Sequence, residues 1–194
     1  MRVLIPRTRP TLAARARVGV ALQVLHATLR APFMASTLPS RPRQIGPRRS
    51  IAIVASIYHE EYARGLVEHA LAEIEEIAPG TDVAMYDVPG AFELPVVVQS
   101  VAQRGGIDAV IAFGLLMEGE TAHAALISHS VTEALMQIAL ATSIPVIHEV
   151  LVVTSEEQAR VRCLEDDLNR GTEAARVAIR MAQVMGDFPR RMPG

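Results

Sequence analysis

The residues whose types and spacing most directly suggest chemistry are Gly119-Glu120-Thr121-Ala122-His123, where an apolar run ends and a helical pattern begins. Glycine and threonine at such a junction can offer backbone N–H groups to an anion, and the positive end of the helix dipole favours negative charge there. The His123 imidazole, on the first helical turn, would lie beside the anion and could carry a proton near neutral pH. This segment therefore predicts an anion site with an adjacent proton carrier.

The sequence around this segment predicts alternating strands and helices. Apolar runs of strand length occupy 51–57, 82–88, 107–117 and 145–153. Helical spacing occupies 60–77, 92–103, 122–141 and 169–184, and a further helix start is expected at 154–157. This alternation predicts an α/β three-layer sandwich, with a four-stranded parallel sheet flanked by helices.

Ligands of such sheets bind beyond the carboxyl ends of the strands. That rule brings four segments to one rim: Tyr58-His59, Pro89–Glu93, Met117–His123 and the residues after Val153. We expect any active site to be assembled from these segments.

The composition of the 194 residues excludes several classes of protein. The apolar runs stay below the roughly 18 uninterrupted residues of a membrane span, so no membrane partner is expected. A single cysteine, Cys163, excludes an internal disulfide and a cysteine-based zinc cluster, and it fits a cytoplasmic protein. Residues 51–194 carry nine arginines against 21 acidic residues, which argues against a nucleic-acid surface.

The first 49 residues differ from the rest in composition, being rich in arginine and proline and free of acidic residues. We interpret 1–49 as a disordered tail or a mis-assigned start, with Met34 as the alternative start. An organelle transit peptide is the second interpretation. The folded domain is expected over 50–186 and a short tail over 187–194.

The rim segments resemble those of the lumazine synthase family. Val88-Pro-Gly-Ala-Phe-Glu-Leu-Pro95 and Gly119–His123 match two of its motifs, and Ser143–Ile147 and Asn169–Ala175 match in order and spacing. The resemblance covers about residues 50–186. It implies a flavodoxin-like fold and the condensation of 5-amino-6-(D-ribitylamino)uracil with 3,4-dihydroxy-2-butanone 4-phosphate. The products are 6,7-dimethyl-8-ribityllumazine, a riboflavin precursor, and inorganic phosphate, and no metal or cofactor is implied.

The resemblance also implies roles for particular residues. His123 would be the catalytic proton carrier. The substrates would be bound by Tyr58, Ala91, Phe92, Glu93, Leu116, Met117, Gly119, Glu120, Thr121, His148, Arg162 and Arg170. Tyr58 would stack on the pyrimidine, Glu93 would bind ribityl hydroxyls, and Gly119, Glu120 and Thr121 would hold the phosphate. Arg162 and Arg170 would reach the site from a neighbouring subunit, and His148 would cover the ring from there.

For several of these residues the sequence leaves an ordinary structural role open. Thr121 could simply cap a helix, because threonine favours that position. Phe92 could be a core residue of the helix that follows, and Arg162 a solvated helix arginine beside Arg160.

The sequence departs from the family pattern at Ile57-Tyr58-His59 and at Glu118, where many members have Arg-Phe-Asn and arginine. A carboxylate at 118 would repel a phosphate. These departures resemble a divergent second variety of lumazine synthase, which can be a weak catalyst. The alternatives are therefore a weakly active or inactive paralogue that binds flavin or lumazine, and a structural shell protein. The family assembles pentamers, decamers or sixty-subunit shells, so a homo-oligomer based on pentamers is expected.

Overall fold

The computed structural model describes residues 37–42, 48–119 and 121–188. Within these residues, four strands, β1 to β4, cover Ser50–Ser56, Asp82–Val88, Ala109–Met117 and Val146–Val153. Five helices in the same described part, α1 to α5, cover Glu60–Ile77, Leu94–Arg104, His123–Thr142, Glu156–Cys163 and Arg170–Gly186. A one-turn 3-10 helix, Ala91–Glu93, precedes α2.

The four strands form one parallel sheet in the order β2-β1-β3-β4. One face of the sheet packs against α1, α4 and α5, around buried residues such as Leu66, Phe113 and Ile179. The other face packs against α2 and α3, around residues such as Leu94, Val110 and Leu135. The predicted three-layer sandwich is therefore confirmed.

The helix starts follow the local chemistry, with shifts from the predicted bounds. Asn169, predicted as the first residue of the last helix, is instead its N-cap, and its side-chain oxygen accepts hydrogen bonds from Gly171 N at 2.8 Å and Thr172 N at 3.4 Å. The helix predicted from Phe92 begins as the 3-10 turn and becomes α-helical at Leu94, so that Pro95 lies within the first turn, where its missing N–H is harmless.

Close packing of α1 against α5 requires a glycine at 171. A Cβ at this position would lie 2.0 Å from the carbonyl oxygen of Leu66 in α1. The glycine allows α5 to begin directly against the backbone of α1.

The segment 37–42, which we call the strap, contacts the domain through the carboxylate of Glu73, 6% exposed, on α1. Arg41 donates to both Glu73 oxygens, at 2.9 and 3.0 Å. Arg176 on α5 donates to Glu73 Oε1 at 2.7 Å and to the carbonyl of Pro39 at 2.7 Å. Residues 1–36, 43–47 and 189–194 lie outside the described part, so the tail interpretations stay predictions.

By length and composition alone, one helix among the described residues, α3, could cross a membrane. This is weak support for a span, because core helices of soluble proteins also meet the criterion. The helix packs on the sheet through Ala124, Val131, Leu135 and Ile138, while most of its other residues are exposed or half-buried. An apolar helix with so much open surface has a face that a further partner can cover.

Candidate functional site

A cavity of about 470 Å³ lies at the carboxyl ends of β1 and β3, where the sequence places the rim. Because the sheet order is β2-β1-β3, the end of β1 lies between the loop after β2 and the loop after β3. Each of these three segments supplies one wall of the cavity.

The first wall is Tyr58-His59, between β1 and α1. Tyr58 is 66% exposed, and its ring meets that of His59 with centroids 4.8 Å apart and planes at 77°. His59 has φ 59° and ψ 53°, in the left-handed region that few side-chain-bearing residues occupy. An aromatic face at the rim can stack on a flat ligand ring.

The second wall is the turn Gly90–Glu93 after β2. Phe92 is 63% exposed and lines the cavity, so the interpretation of it as a core residue is wrong. Ala91 is buried beneath, packed in the core on the α2 and α3 side of the sheet. Glu93 adds a carboxylate that can accept hydrogen bonds from ligand hydroxyls.

The third wall runs from the end of β3 into α3. It contains Leu116, Met117, Gly119, Thr121 and His123. Glu120 lies outside the described residues. The wall joins apolar strand residues to the start of a 20-residue helix.

His123 is the first residue of α3, with Ala122 as its N-cap and no side-chain capping bond. The interpretation of Thr121 as the cap of this helix is therefore wrong. Gly119 and Thr121, from the turn before α3, line the same cavity as the His123 imidazole. The first N–H groups of a helix can bind an anion, and the anion site expected from the motif stays a prediction.

The cavity is poor in positive charge. Among the described residues that line it, the ionisable side chains are Tyr58, His59, Glu93 and His123, with no arginine. Glu118, at the end of β3, is exposed, and its N–H donates to Val153 O at 2.8 Å. A phosphate here would need its balancing charge from outside these walls.

Three residues predicted for the site do not line this cavity: His148, Arg162 and Arg170. His148 lies on β4, where its Nε2 is 2.9 Å from Thr132 Oγ1 on α3. The Thr132 hydroxyl donates to Ser128 O, so the imidazole is the donor of this bond. Burial lowers the pKa of His148. Arg162 lies on a different element, the helix α4.

Arg170 forms ion pairs within the chain. Its Nε and Nη2 donate to the two oxygens of Glu149 at 2.9 and 3.1 Å, and Nη1 donates to Glu173. Glu149 is 5% exposed, and burial raises its pKa to about 7 despite the opposing effect of Arg170. The guanidinium thus joins β4 to the first turn of α5, and its predicted contact with substrate stays a prediction.

Sequence reasoning gave too little weight to two residues. Glu149 is a lone acid within the apolar strand Val146–Val153, a pattern that indicates a buried ion pair. His59 is placed at the rim by the sequence, in the segment Tyr58-His59, but is given no role of its own.

The walls together can bind a flat ring on aromatic side chains, hold hydroxyl groups on Glu93, accept an anion at the start of α3, and move protons through imidazole. This combination suits a reaction between a heterocycle and an anionic partner.

A family model described as 6,7-dimethyl-8-ribityllumazine synthase matches residues 48–186. A protein of that name from Burkholderia multivorans is 37% identical over 145 residues, covering 74% of this chain and 82% of the relative. One from Paraburkholderia phymatum has the same identity and coverage. A de novo designed Rossmann fold protein aligns over 59% of this chain and 91% of its own, with TM-score 0.32 and 16% identity, too distant to bear on function.

Proposed function

The chain belongs to the 6,7-dimethyl-8-ribityllumazine synthase family, and we propose on that premise that it catalyses the final condensation that forms the lumazine. The substrates are 5-amino-6-(D-ribitylamino)uracil and 3,4-dihydroxy-2-butanone 4-phosphate, and the pathway is riboflavin biosynthesis. The observation that carries the proposal is the convergence of Tyr58, Glu93 and His123 on one cavity at the strand ends.

The walls match the two substrates in chemistry. The pyrimidine stacks on Tyr58 at the end of β1. The ribityl chain follows the second wall, where its hydroxyls donate to Glu93. The phosphate lies at the turn before α3, on the backbone of Gly119 and Thr121.

Binding both substrates in one cavity supplies much of the catalysis, because the amine and the ketone are held within reach of each other. The amine attacks the ketone, water leaves to give an imine, phosphate leaves, and ring closure releases a second water. His123, beside the phosphate turn, accepts and returns the protons that accompany phosphate loss.

The balancing positive charge comes, in this proposal, from Arg162 of another copy. The described walls contain no arginine, whereas a guanidinium can bind a phosphate with two hydrogen bonds. The site is then complete only in an oligomer, in which His148 and Arg170 also lie at the junction between copies.

Self-association is supported by the open face of α3. Leu126, Met136 and Leu140 are 66, 58 and 68% exposed, and their helical spacing places them within one side of the helix. We assign this face to contact with further copies of the chain, in a pentamer or a larger assembly. The cytoplasm is the proposed compartment, in keeping with the single buried thiol of Cys163.

The proposed function is tested by mixing the purified chain with both substrates and following the absorbance of the lumazine together with the released inorganic phosphate. We expect the two products to form in equal amounts, faster than in buffer. Binding of the lumazine without any acceleration of its formation would contradict the proposal and would favour a paralogue that only binds the ligand.

A further inference from the structure

His59 lies in the first wall of the cavity, at the turn that joins β1 to α1. Only two residues other than glycine have positive φ in the described chain, His59 and Ser143. This conformation is unfavourable for a residue with a Cβ and is found at functional sites where the surrounding structure maintains it. Histidine, like asparagine, occurs in this region more often than most residues, but a glycine would fit the turn with less strain, so the backbone does not require an imidazole.

The imidazole is also not explained by helix capping. The carbonyl oxygen of His59 accepts hydrogen bonds from Tyr62 N at 3.1 Å and Ala63 N at 3.2 Å, so its main chain begins the helix. The side chain makes no capping bond. Within the part of the chain that the structure describes, neither ring nitrogen has a hydrogen-bond partner, and the ring contact with Tyr58 leaves the nitrogens available.

The cavity therefore has two imidazoles in different walls. His123 adjoins the phosphate turn at the start of α3, whereas His59 adjoins Tyr58, the residue proposed to stack on the pyrimidine. The other ionisable groups around His59 are Tyr58 and Glu93 in the cavity, and Glu60 and Glu61 on the first turn of α1. The amine that starts the reaction belongs to the pyrimidine and so lies at the His59 side.

We propose that His59 is a second proton carrier, which serves imine formation while His123 serves phosphate loss. This inference rests on the proposed function. As the amine nitrogen bonds to the ketone carbon, the electron pair of the C=O bond moves to oxygen. The nitrogen gives its first proton to one ring nitrogen of His59, and His59 passes it to that oxygen, which becomes a hydroxyl. The nitrogen then gives its second proton to His59, which delivers it to the hydroxyl as the C–O bond breaks; water leaves, the C=N bond forms, and the imidazole ends unchanged.

His59→Asn separates proton transfer from binding, because asparagine tolerates the left-handed region and keeps a donor and an acceptor but carries no proton at neutral pH. We expect kcat to fall about tenfold, below the usual range for general acid–base catalysis because His123 remains. The KM for the pyrimidine should stay within about threefold of wild type, and the pH profile of kcat should lose one ionisation.

His59→Gly removes both functions and relieves the backbone, so it should lose kcat, raise the pyrimidine KM and unfold at no lower temperature than wild type. Ser143→Gly is the matched control, since it relieves the other left-handed residue in a cavity at the opposite end of the sheet. It should leave kcat, KM and the pH profile unchanged.

His59→Asn with wild-type kcat and an unchanged pH profile would overturn the inference. So would a change confined to KM, which would make His59 a binding residue only. A wild-type chain no faster than buffer would overturn the proposed function and this inference together, whereas an active wild type with an equally active His59→Asn would overturn the inference alone.

Discussion

Arg170 and Glu149 form a two-point ion pair, with Nε to Oε2 at 2.9 Å and Nη2 to Oε1 at 3.1 Å. The pair joins the first residue of α5 to the middle of β4, and Glu173 adds a second carboxylate to the same guanidinium. The charged form of a buried carboxylate is stabilised by such a partner. The pKa of Glu149 is about 7, so its protonation changes within the physiological pH range.

Glu149→Gln should change how stability depends on pH. Burial raises the pKa of Glu149 from 4.5 to about 7, so between these values the folded chain holds a proton that the unfolded chain has lost. This group therefore makes the free energy of unfolding fall as pH rises from about 4.5 to 7, by on the order of 1–3 kcal/mol. The variant should lack that fall in urea unfolding at pH 5 and pH 7.5. Glu157→Gln, at an exposed ion pair with Arg160, should retain it, and the same slope in both variants would contradict the account.

Glu73→Gln should weaken the attachment of the strap. Glu73 is buried and accepts from both Arg41 and Arg176, so loss of its charge removes the carboxylate that the two guanidinium groups share. Among the described residues, Arg41 then keeps only the exposed carboxylate of Glu76, and Arg176 only the carbonyl of Pro39. We expect a loss of roughly 1–3 kcal/mol in the free energy of unfolding. Asp82→Asn removes a partner of Arg48 in an exposed pair and should have little effect. Equal losses of unfolding free energy in the two variants would contradict the claim that the buried ion pairs of Glu73 stabilise the fold more than an exposed pair does.

Arg162→Ala should raise the KM for the butanone phosphate. Removing one charge-assisted hydrogen bond to a phosphate corresponds to roughly a tenfold or larger change. Arg160→Ala is the control on the same helix, because Arg160 pairs with Glu157 and Glu165. Steady-state kinetics with each substrate varied in turn makes the measurement. A rise confined to the pyrimidine KM would contradict the placement of Arg162 at the phosphate.

Met136→Glu should reduce the mass of the particle in solution, because it places a charge on the exposed apolar face of α3 assigned to contact between copies. Light scattering of wild type and variant at equal concentration makes the comparison. Leu71→Glu, at an exposed position on α1, should leave the mass unchanged. An unchanged mass for Met136→Glu would remove this face from the assembly.

Much of the fold could be predicted from the sequence, because the strands of a covered parallel sheet are continuous apolar runs. Ala109–Met117 is such a run, and β3 ends at Met117, as predicted. Asn169 marked the start of the last helix, because an asparagine side chain can cap a helix; in the structure it is the N-cap and not the first helical residue. The rule that ligands lie at the carboxyl ends of the strands predicts from the sequence that Tyr58, Glu93 and His123 lie at one rim.

The ion-pair partners could not be predicted from the sequence, because they come from segments that are distant along the chain. The partner of Arg170 is 21 residues away on β4, and the carboxylate that holds Arg41 is 32 residues away on α1. The exposure of Phe92 depends on the 3-10 turn before α2, which apolar spacing does not distinguish from a helix that buries its first aromatic residue.

The measurement that tests the central claim most directly is the initial rate of lumazine formation by wild type, His123→Ala and His69→Ala, against the rate in buffer. His69 contacts Gly65 and Asp166, away from the cavity, and its loss should leave the rate unchanged. We predict a wild-type rate above that of buffer and a loss of roughly 10²-fold in His123→Ala, within the usual contribution of one proton-transfer group. A wild-type rate equal to that of buffer, or a His123→Ala rate equal to wild type, would contradict the account.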